Sequence, residues 1–108
     1  MKYLITESKL GDIIYKYLNS QDFVITESDD STFIHYPSDL FAQIKVDYED
    51  SFCELNFEIV NNISSLFSID RDWSLHYITE WVNDKLETRI SELFAPIDYF
   101  RKDMLIPK

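Results

Sequence analysis

The sequence predicts an α+β domain with an N-terminal helix, an antiparallel sheet of about four strands in two hairpins, and C-terminal helices, all packed on one face of the sheet. Two patterns predict this fold. The middle of the chain alternates apolar and polar residues with the period of a strand, whereas both flanks repeat apolar residues with the period of a helix. Grouped strands with helices outside them are typical of α+β proteins.

The first helix is predicted over residues 6–19, because its apolar residues follow the stripe of a core-facing helix. These residues are Leu10, Ile13, Ile14, Tyr17 and Leu18. Residues 22–27 (DFVITE) and 32–36 (TFIHY) are rich in β-branched and aromatic types and read as strands. The SDDS turn between them predicts the first hairpin.

The second hairpin is predicted from residues 40–48 and 52–59, which both alternate with period 2. The link between them, residues 49–51, has the length of a hairpin loop. One face then carries the apolar residues and packs on the helices. The other face is expected to carry Lys45, Asp47, Glu54, Asn56 and Glu58.

After Ile59 the apolar period becomes helical. A short helix is predicted over residues 60–67, and Asp70 or Asp72 is predicted to cap a longer helix that runs toward Leu86. Residues 87–94 (ETRISELF) fit a continuing helix or a closing strand, and both alternatives stay open. Residues 95–108 are expected to be an irregular tail of a single domain that spans residues 1–108.

Length and composition bound the class of protein. The chain has 108 residues, of which 45% are hydrophobic and 16% aromatic, so it can build a compact core. No apolar run approaches the roughly 18 residues of a membrane-spanning helix. The first residues lack the apolar stretch of a signal peptide, and a single cysteine, Cys53, excludes an intrachain disulfide. We therefore expect a cytoplasmic protein with no membrane association.

The sequence predicts no enzyme, no cofactor and no metal site. The only glycine, Gly11, excludes the glycine-rich loops that cradle phosphates. His35 and His76 are far apart and have no partner at metal-ligand spacing. Cys53 belongs to the inward-facing set of its strand, which indicates a core residue and not a nucleophile.

Charge is the most informative bulk feature. The formal net charge is −10, and residues 17–70 contain eleven acids but only one base, Lys45. Such a field disfavours direct binding to nucleic acid or to an anionic membrane. It favours a basic protein partner, and the alternative is a solvated face that only keeps the protein soluble and monomeric.

The predicted binding residues follow from this acidic segment. Same-face residues of a strand are spaced about 6.6–6.8 Å apart, comparable to phosphates along a DNA backbone. Glu54 and Glu58, with Asp47 across the hairpin, would then form a lattice of carboxylates that the turns extend. The full predicted set is Glu27, Asp29, Asp30, Asp47, Glu49, Asp50, Glu54 and Glu58.

An aromatic stripe on the long helix offers a different contact surface. Trp73, Tyr77 and Trp81 follow each other at four-residue spacing. Such a stripe is either part of the core or an exposed patch, and an exposed patch would support a homodimer or an assembly role.

Two resemblances bear on the origin of the chain. The opening MKYLITESKLGDIIYKYLNSQDF and the stretch LNFEIVNNISSLFSIDRDWSLHYITEWVNDKLETRI resemble a family of small uncharacterised bacteriophage proteins. Residues 10–28 (LGDIIYKYLNSQDFVITES) are similar to the start of the phage uracil-DNA glycosylase inhibitor. That match needs a one-residue insertion, and a strand follows here where that family has a helix. The second resemblance would make Glu27 and Ser28 contact residues.

Together these observations lead to one expected function and one alternative. We expect an acidic phage-type binding module that inhibits a host nucleic-acid enzyme in the bacterial cytoplasm by DNA mimicry. The alternative is a small structural or assembly protein of a phage with no inhibitory activity.

Overall fold

The computed structural model describes residues 7–48, 52–86 and 106–107. Three helices and four strands follow each other in an order that confirms the predicted α+β fold. The elements are α1 (Glu7–Ser20), β1 (Val24–Glu27), β2 (Ser31–His35), β3 (Ile44–Asp47), β4 (Phe52–Leu55), α2 (Phe57–Phe67) and α3 (Arg71–Leu86).

The four strands form one antiparallel meander in the order β1-β2-β3-β4. Ile34 pairs with Ile25 on one side and Ile44 on the other, and Ile44 in turn pairs with Leu55. Residues in register across neighbouring strands point to the same face, so these side chains form an apolar row. This row is the floor of the core.

The helices cover the face that carries the apolar row. One continuous cluster of buried side chains joins the strands to all three helices, with Ile14 and Leu18 from α1, Ile63 from α2 and Ile78 from α3. All four of these side chains are at most 1% exposed. The prediction that the helices pack on one face of the sheet is therefore confirmed.

The prediction of a strand over residues 52–59 is wrong beyond Leu55. Asn56 is the N-cap of α2, and its side-chain oxygen accepts a hydrogen bond from the backbone N–H of Glu58. The helical period that begins with Ile59, Val60 and Ile63 therefore extends back to Phe57. Asn56 and Glu58, both predicted to lie on the outer face of the sheet, instead begin a helix.

The strand predicted over residues 40–48 is also shorter, because β3 begins only at Ile44. Leu40, expected to face the core, is 65% exposed. Gln43, expected to face water, is buried, and its backbone bonds to both Ile34 and Asn56. The alternation is thus interrupted just before β3, where the chain leaves a turn in which Asp39 accepts from the Tyr36 N–H.

The junction between α2 and α3 follows the sequence closely. Ser68 ends α2 in the left-handed conformation, with a φ of 54°. Asp70 then caps α3, since its carboxylate accepts from the Trp73 N–H at 2.9 Å. Of the two predicted caps, Asp70 is the one that the structure uses.

The second face of the sheet is less open than the sequence suggested, since all five residues of β2 are buried. Phe33 and Ala42 form a separate apolar cluster against which Ile106 packs, and the Ile106 N–H donates to the Leu40 carbonyl. Lys45 lies over the Phe33 ring at 5.8 Å. The two alternatives for residues 87–94, and most of the predicted tail, fall outside the described residues.

Candidate acidic binding surface

A meander places alternate turns at the same end of the sheet, and this joins two parts of the acidic segment. The β1–β2 turn is closed by a 2.8 Å bond from the Ser28 N–H to the Ser31 carbonyl. The Tyr48 N–H, just after β3, donates to the Asp30 carbonyl at 3.1 Å. The hydroxyls of Thr32 and Tyr48 are also hydrogen-bonded to each other. The first turn is therefore fixed against the end of β3.

Four of the predicted binding residues gather at this end. Glu27, Asp29 and Asp30 are exposed, and Asp47 is half-buried. We call these four residues the acidic corner. Glu49 and Asp50, which are also predicted binding residues, lie outside the described residues.

The carboxylate of Asp30 is held within its turn. The Ser28 hydroxyl lies 3.3 Å from Asp30 Oδ1 and 3.2 Å from the Ser31 carbonyl, so it donates to both acceptors. Short side chains that bond to the turn backbone are the usual means of fixing such turns. The sequence identified these acids as candidates. Their proximity follows from the meander, because alternate turns of a meander lie at the same end of the sheet.

The remaining two acids lie elsewhere, and the predicted lattice of Glu54 and Glu58 does not form. Glu54 is on β4, partly buried and directly opposite Lys45. Glu58 is exposed in the first turn of α2, at the other end of the sheet. The pKa of Tyr36, just after β2, is raised chiefly by burial and slightly by the nearby Glu58 charge. Because β4 ends at Leu55, no strand connects the two glutamates.

The aromatic stripe lies mostly in the core. Tyr77 is 5% exposed and Trp81 is 3% exposed, whereas Trp73 is 43% exposed and stacks on the Tyr77 ring at 5.8 Å. The indole N–H of Trp81 donates to Asn19 Oδ1 at 2.9 Å, which ties α3 to α1. The three rings therefore do not form a shared contact surface.

The potentially reactive side chains have structural partners. Burial raises the pKa of the Cys53 thiol to about 11, and its sulfur lies 3.6 Å from the Thr79 hydroxyl. His35 is buried, with its ring nitrogens 2.8 Å from Thr26 Oγ1 and from the Tyr36 carbonyl. His76 is exposed and pairs with Glu80 at 3.0 Å.

The part of the chain that the structure describes holds neither a metal-binding group of side chains nor a membrane-spanning helix. Within residues 7–48, 52–86 and 106–107, no three histidine, cysteine or acidic side chains are grouped so that they could hold a metal ion. In the same part of the chain, every helix is too short or too polar to cross a bilayer.

Comparisons with protein-family models, curated proteins and solved structures find no match to this chain.

Proposed function

We propose that this protein is an acidic binding module that docks its acidic corner against a basic surface of another protein. This proposal rests on the hydrogen bond from the Tyr48 N–H to the Asp30 carbonyl, which fixes the β1–β2 turn against the end of β3. Four acids therefore lie at one end of the sheet: Glu27, Asp29, Asp30 and Asp47. Fixed charges lose less conformational entropy on binding than charges on mobile segments, so a pre-formed acidic surface favours association.

The chemistry of the corner selects the class of partner. Carboxylates repel the phosphates of nucleic acids and lipids, and the eleven acids of residues 17–70, against one base, strengthen this repulsion around the corner. A lysine- and arginine-rich protein surface meets the same field as an attraction. Complementary fields raise the rate of encounter and reject partners of the wrong charge.

The finer proposal is that the partner is a nucleic-acid-binding protein of a bacterial host and that binding inhibits it. Such proteins concentrate positive charge in the clefts that hold phosphates, and a rigid cluster of carboxylates competes for that charge. A phage origin, which stays an expectation from the sequence, would make a host protein the target. With Glu54 and Glu58 apart, the competing surface is the corner and not a strand lattice.

The test is capture from bacterial lysate with two matched charge variants as baits. The corner variant is Glu27→Gln/Asp29→Asn/Asp30→Asn. The helix variant is Asp12→Asn/Asp72→Asn/Glu80→Gln, which removes three exposed carboxylates away from the corner. Both variants lose the same formal charge, so they differ in where it is lost. Thermal unfolding of each variant serves as the folding control.

We expect the unmodified chain and the helix variant to capture the same basic protein, and the corner variant to lose it. Screening shortens the range of exposed charges, so capture should fall between about 50 mM and about 300 mM salt. If added DNA displaces the captured protein from the bait, this result would support the inhibitor proposal. Equal capture by both variants would refute a role for the corner.

A further inference from the structure

Strand β1 forms an edge of the sheet. It pairs with β2 on one side, and among residues 7–48, 52–86 and 106–107 no strand pairs with its other side. Antiparallel residues alternate between pairs that exchange backbone hydrogen bonds and pairs that do not. Because Ser28 bonds to Ser31 at the turn, this alternation directs the backbone N–H and C=O groups of Ile25 and Glu27 away from β2.

The apolar side chains of β1 are exposed. Val24 and Ile25 point to opposite faces of the sheet, and each is 41% exposed. Edge strands are normally covered or charged, since exposed apolar edges invite another strand. The accessible edge therefore combines backbone groups suited to pairing with apolar side chains suited to packing.

A small cleft lies beside this edge, on the helix-facing side. Its walls include Leu18, Phe23, Ile25, Ile34, Trp81 and Lys85, and its volume is about 60 Å³. Pockets for metabolites typically measure ~300–1,000 Å³. The cleft is therefore too small for a metabolite and matches the methyl-bearing end of one aliphatic side chain.

We propose that the outer edge of β1 accepts an extended basic segment of the partner protein as an additional strand, with one aliphatic side chain of that segment seated in the cleft. This inference rests on the proposed function and specifies the form of the partner. Backbone hydrogen bonds to Ile25 and Glu27 supply the pairing, and the cleft selects the residue opposite Ile25.

Charge decides between a partner protein and a second copy of this chain. Glu27 ends β1, and Asp29 and Asp30 follow one residue later, so an added strand passes the acidic corner as it leaves the cleft. A second copy would bring another net charge of −10 to this edge. A segment with a lysine or arginine two residues from its aliphatic residue places that base opposite Glu27 when the aliphatic residue lies opposite Ile25.

The experiment uses a synthetic peptide, acetyl-Lys-Lys-Thr-Val-Thr-Val-amide, and its analogue with both lysines replaced by glutamate. Affinity is measured by calorimetry for the unmodified chain, for Glu27→Gln and for Glu27→Pro. Both substitutions remove the same charge, but only proline also removes the outward N–H. Proline is tolerated where an edge N–H points away from the sheet, so the ladder with β2 is kept.

We expect the lysine peptide to bind and the glutamate peptide not to bind. Glu27→Pro should bind about fivefold more weakly than Glu27→Gln, the effect of one net hydrogen bond. In the unmodified chain, the peptide should slow hydrogen exchange at the Ile25 and Glu27 amides. This exchange measurement also tests the proposal if Glu27→Pro fails to fold.

Three results would overturn the proposal: no binding of the lysine peptide, equal affinities of the two Glu27 variants, or Ile25 and Glu27 amides already protected in the free protein. The last result would mean that another part of this chain or a second copy occupies the edge. The proposed function fails separately, when capture of a basic protein does not depend on the corner. A captured partner that the corner variant loses and Glu27→Pro retains would support the corner and refute the edge.

Discussion

Asn56 is the residue at which the chain changes from strand to helix, and we predict that Asn56→Ala strongly destabilises the fold. The side chain is 4% exposed and makes two hydrogen bonds. Its Oδ1 accepts from the Glu58 N–H at 3.0 Å, and its Nδ2 donates to the Ala42 carbonyl at 3.2 Å. One side chain thus caps α2 and fastens it to the segment before β3.

The size of the effect follows from these two bonds. Loss of an N-cap side chain typically costs ~1 kcal/mol. Leaving a buried carbonyl without its donor costs ~1–3 kcal/mol more. Asn56→Ala should therefore lower the free energy of unfolding by about 2–4 kcal/mol, a large part of the ~5–15 kcal/mol that holds an ordinary domain together.

Urea unfolding followed by tryptophan fluorescence measures this loss, and Asn56→Ser separates its two parts. A serine hydroxyl caps a helix well but is too short to replace the amide bond to Ala42, so Asn56→Ser should recover ~1 kcal/mol relative to alanine. A loss below ~0.5 kcal/mol for Asn56→Ala would refute the reasoning, since it would show that neither bond matters to the fold.

Three further predictions test the packing. Because burial raises the pKa of the Cys53 thiol from 9.0 to about 11, the unfolded chain releases this proton at a lower pH than the folded chain. The free energy of unfolding should therefore fall as pH rises from 9 to 11, and Cys53→Ala should lessen that fall in urea titrations. A thiol reagent at pH 8 should label Cys53 only after unfolding. A Cβ at Gly11 would lie 3.3 Å from the Tyr77 ring, so the ring must shift slightly to accept it. Because that ring stacks on an exposed tryptophan, it has room to move. We expect Gly11→Ala to keep about half of the ~1 kcal/mol gain in helix propensity, seen as a higher Tm. A lower Tm would mean that the ring cannot move. Trp81→Phe removes the indole donor to Asn19 and part of a buried ring, so it should cost ~1–3 kcal/mol in urea unfolding. Asn19→Ala removes only the acceptor and should cost less than Trp81→Phe. Equal costs would contradict the packing contribution.

The sequence predicted those parts of the fold that a single periodic pattern controls. The helical stripe around Ile14 and Leu18 predicted α1 to within one residue at either end. Alternation around Ile44 and Val46 predicted a strand that includes β3, and capping chemistry predicted a helix start at Asp70 or Asp72, of which Asp70 is the cap. In each case local preference and the demands of the core agree.

The errors lie where two patterns overlap. Residues 53–59 alternate apolar and polar types, but Ile59 and Ile63 also fit a helix, and the buried bond from Asn56 to Ala42 favours the helix from Phe57 onward. A long-range contact decided this boundary, and no local pattern contains it. For the same reason the apolar cluster on the second face could not be predicted, because Ile106, which packs against Phe33 and Ala42, lies far along the chain.

The candidate site was predicted as a set of residues but not as an arrangement. Charge counting identified the acids of the corner. The predicted lattice of Glu54 and Glu58 does not form, because Glu58 lies on a helix and not on β4. The bond from Tyr48 to Asp30 that completes the corner joins residues far apart in the chain. Counting the strands of the meander would have shown that the β1–β2 turn and the end of β3 share one end of the sheet.

Calorimetry at about 50 mM salt tests the central claim most directly. It measures the affinity of the captured partner for the unmodified chain, for the corner variant and for the helix variant. We predict that the corner variant loses at least ~tenfold in affinity, which corresponds to ~1.4 kcal/mol, and that the helix variant loses less than ~threefold. Equal losses would show that the net charge alone attracts the partner. A corner variant that binds as tightly as the unmodified chain would contradict the proposal.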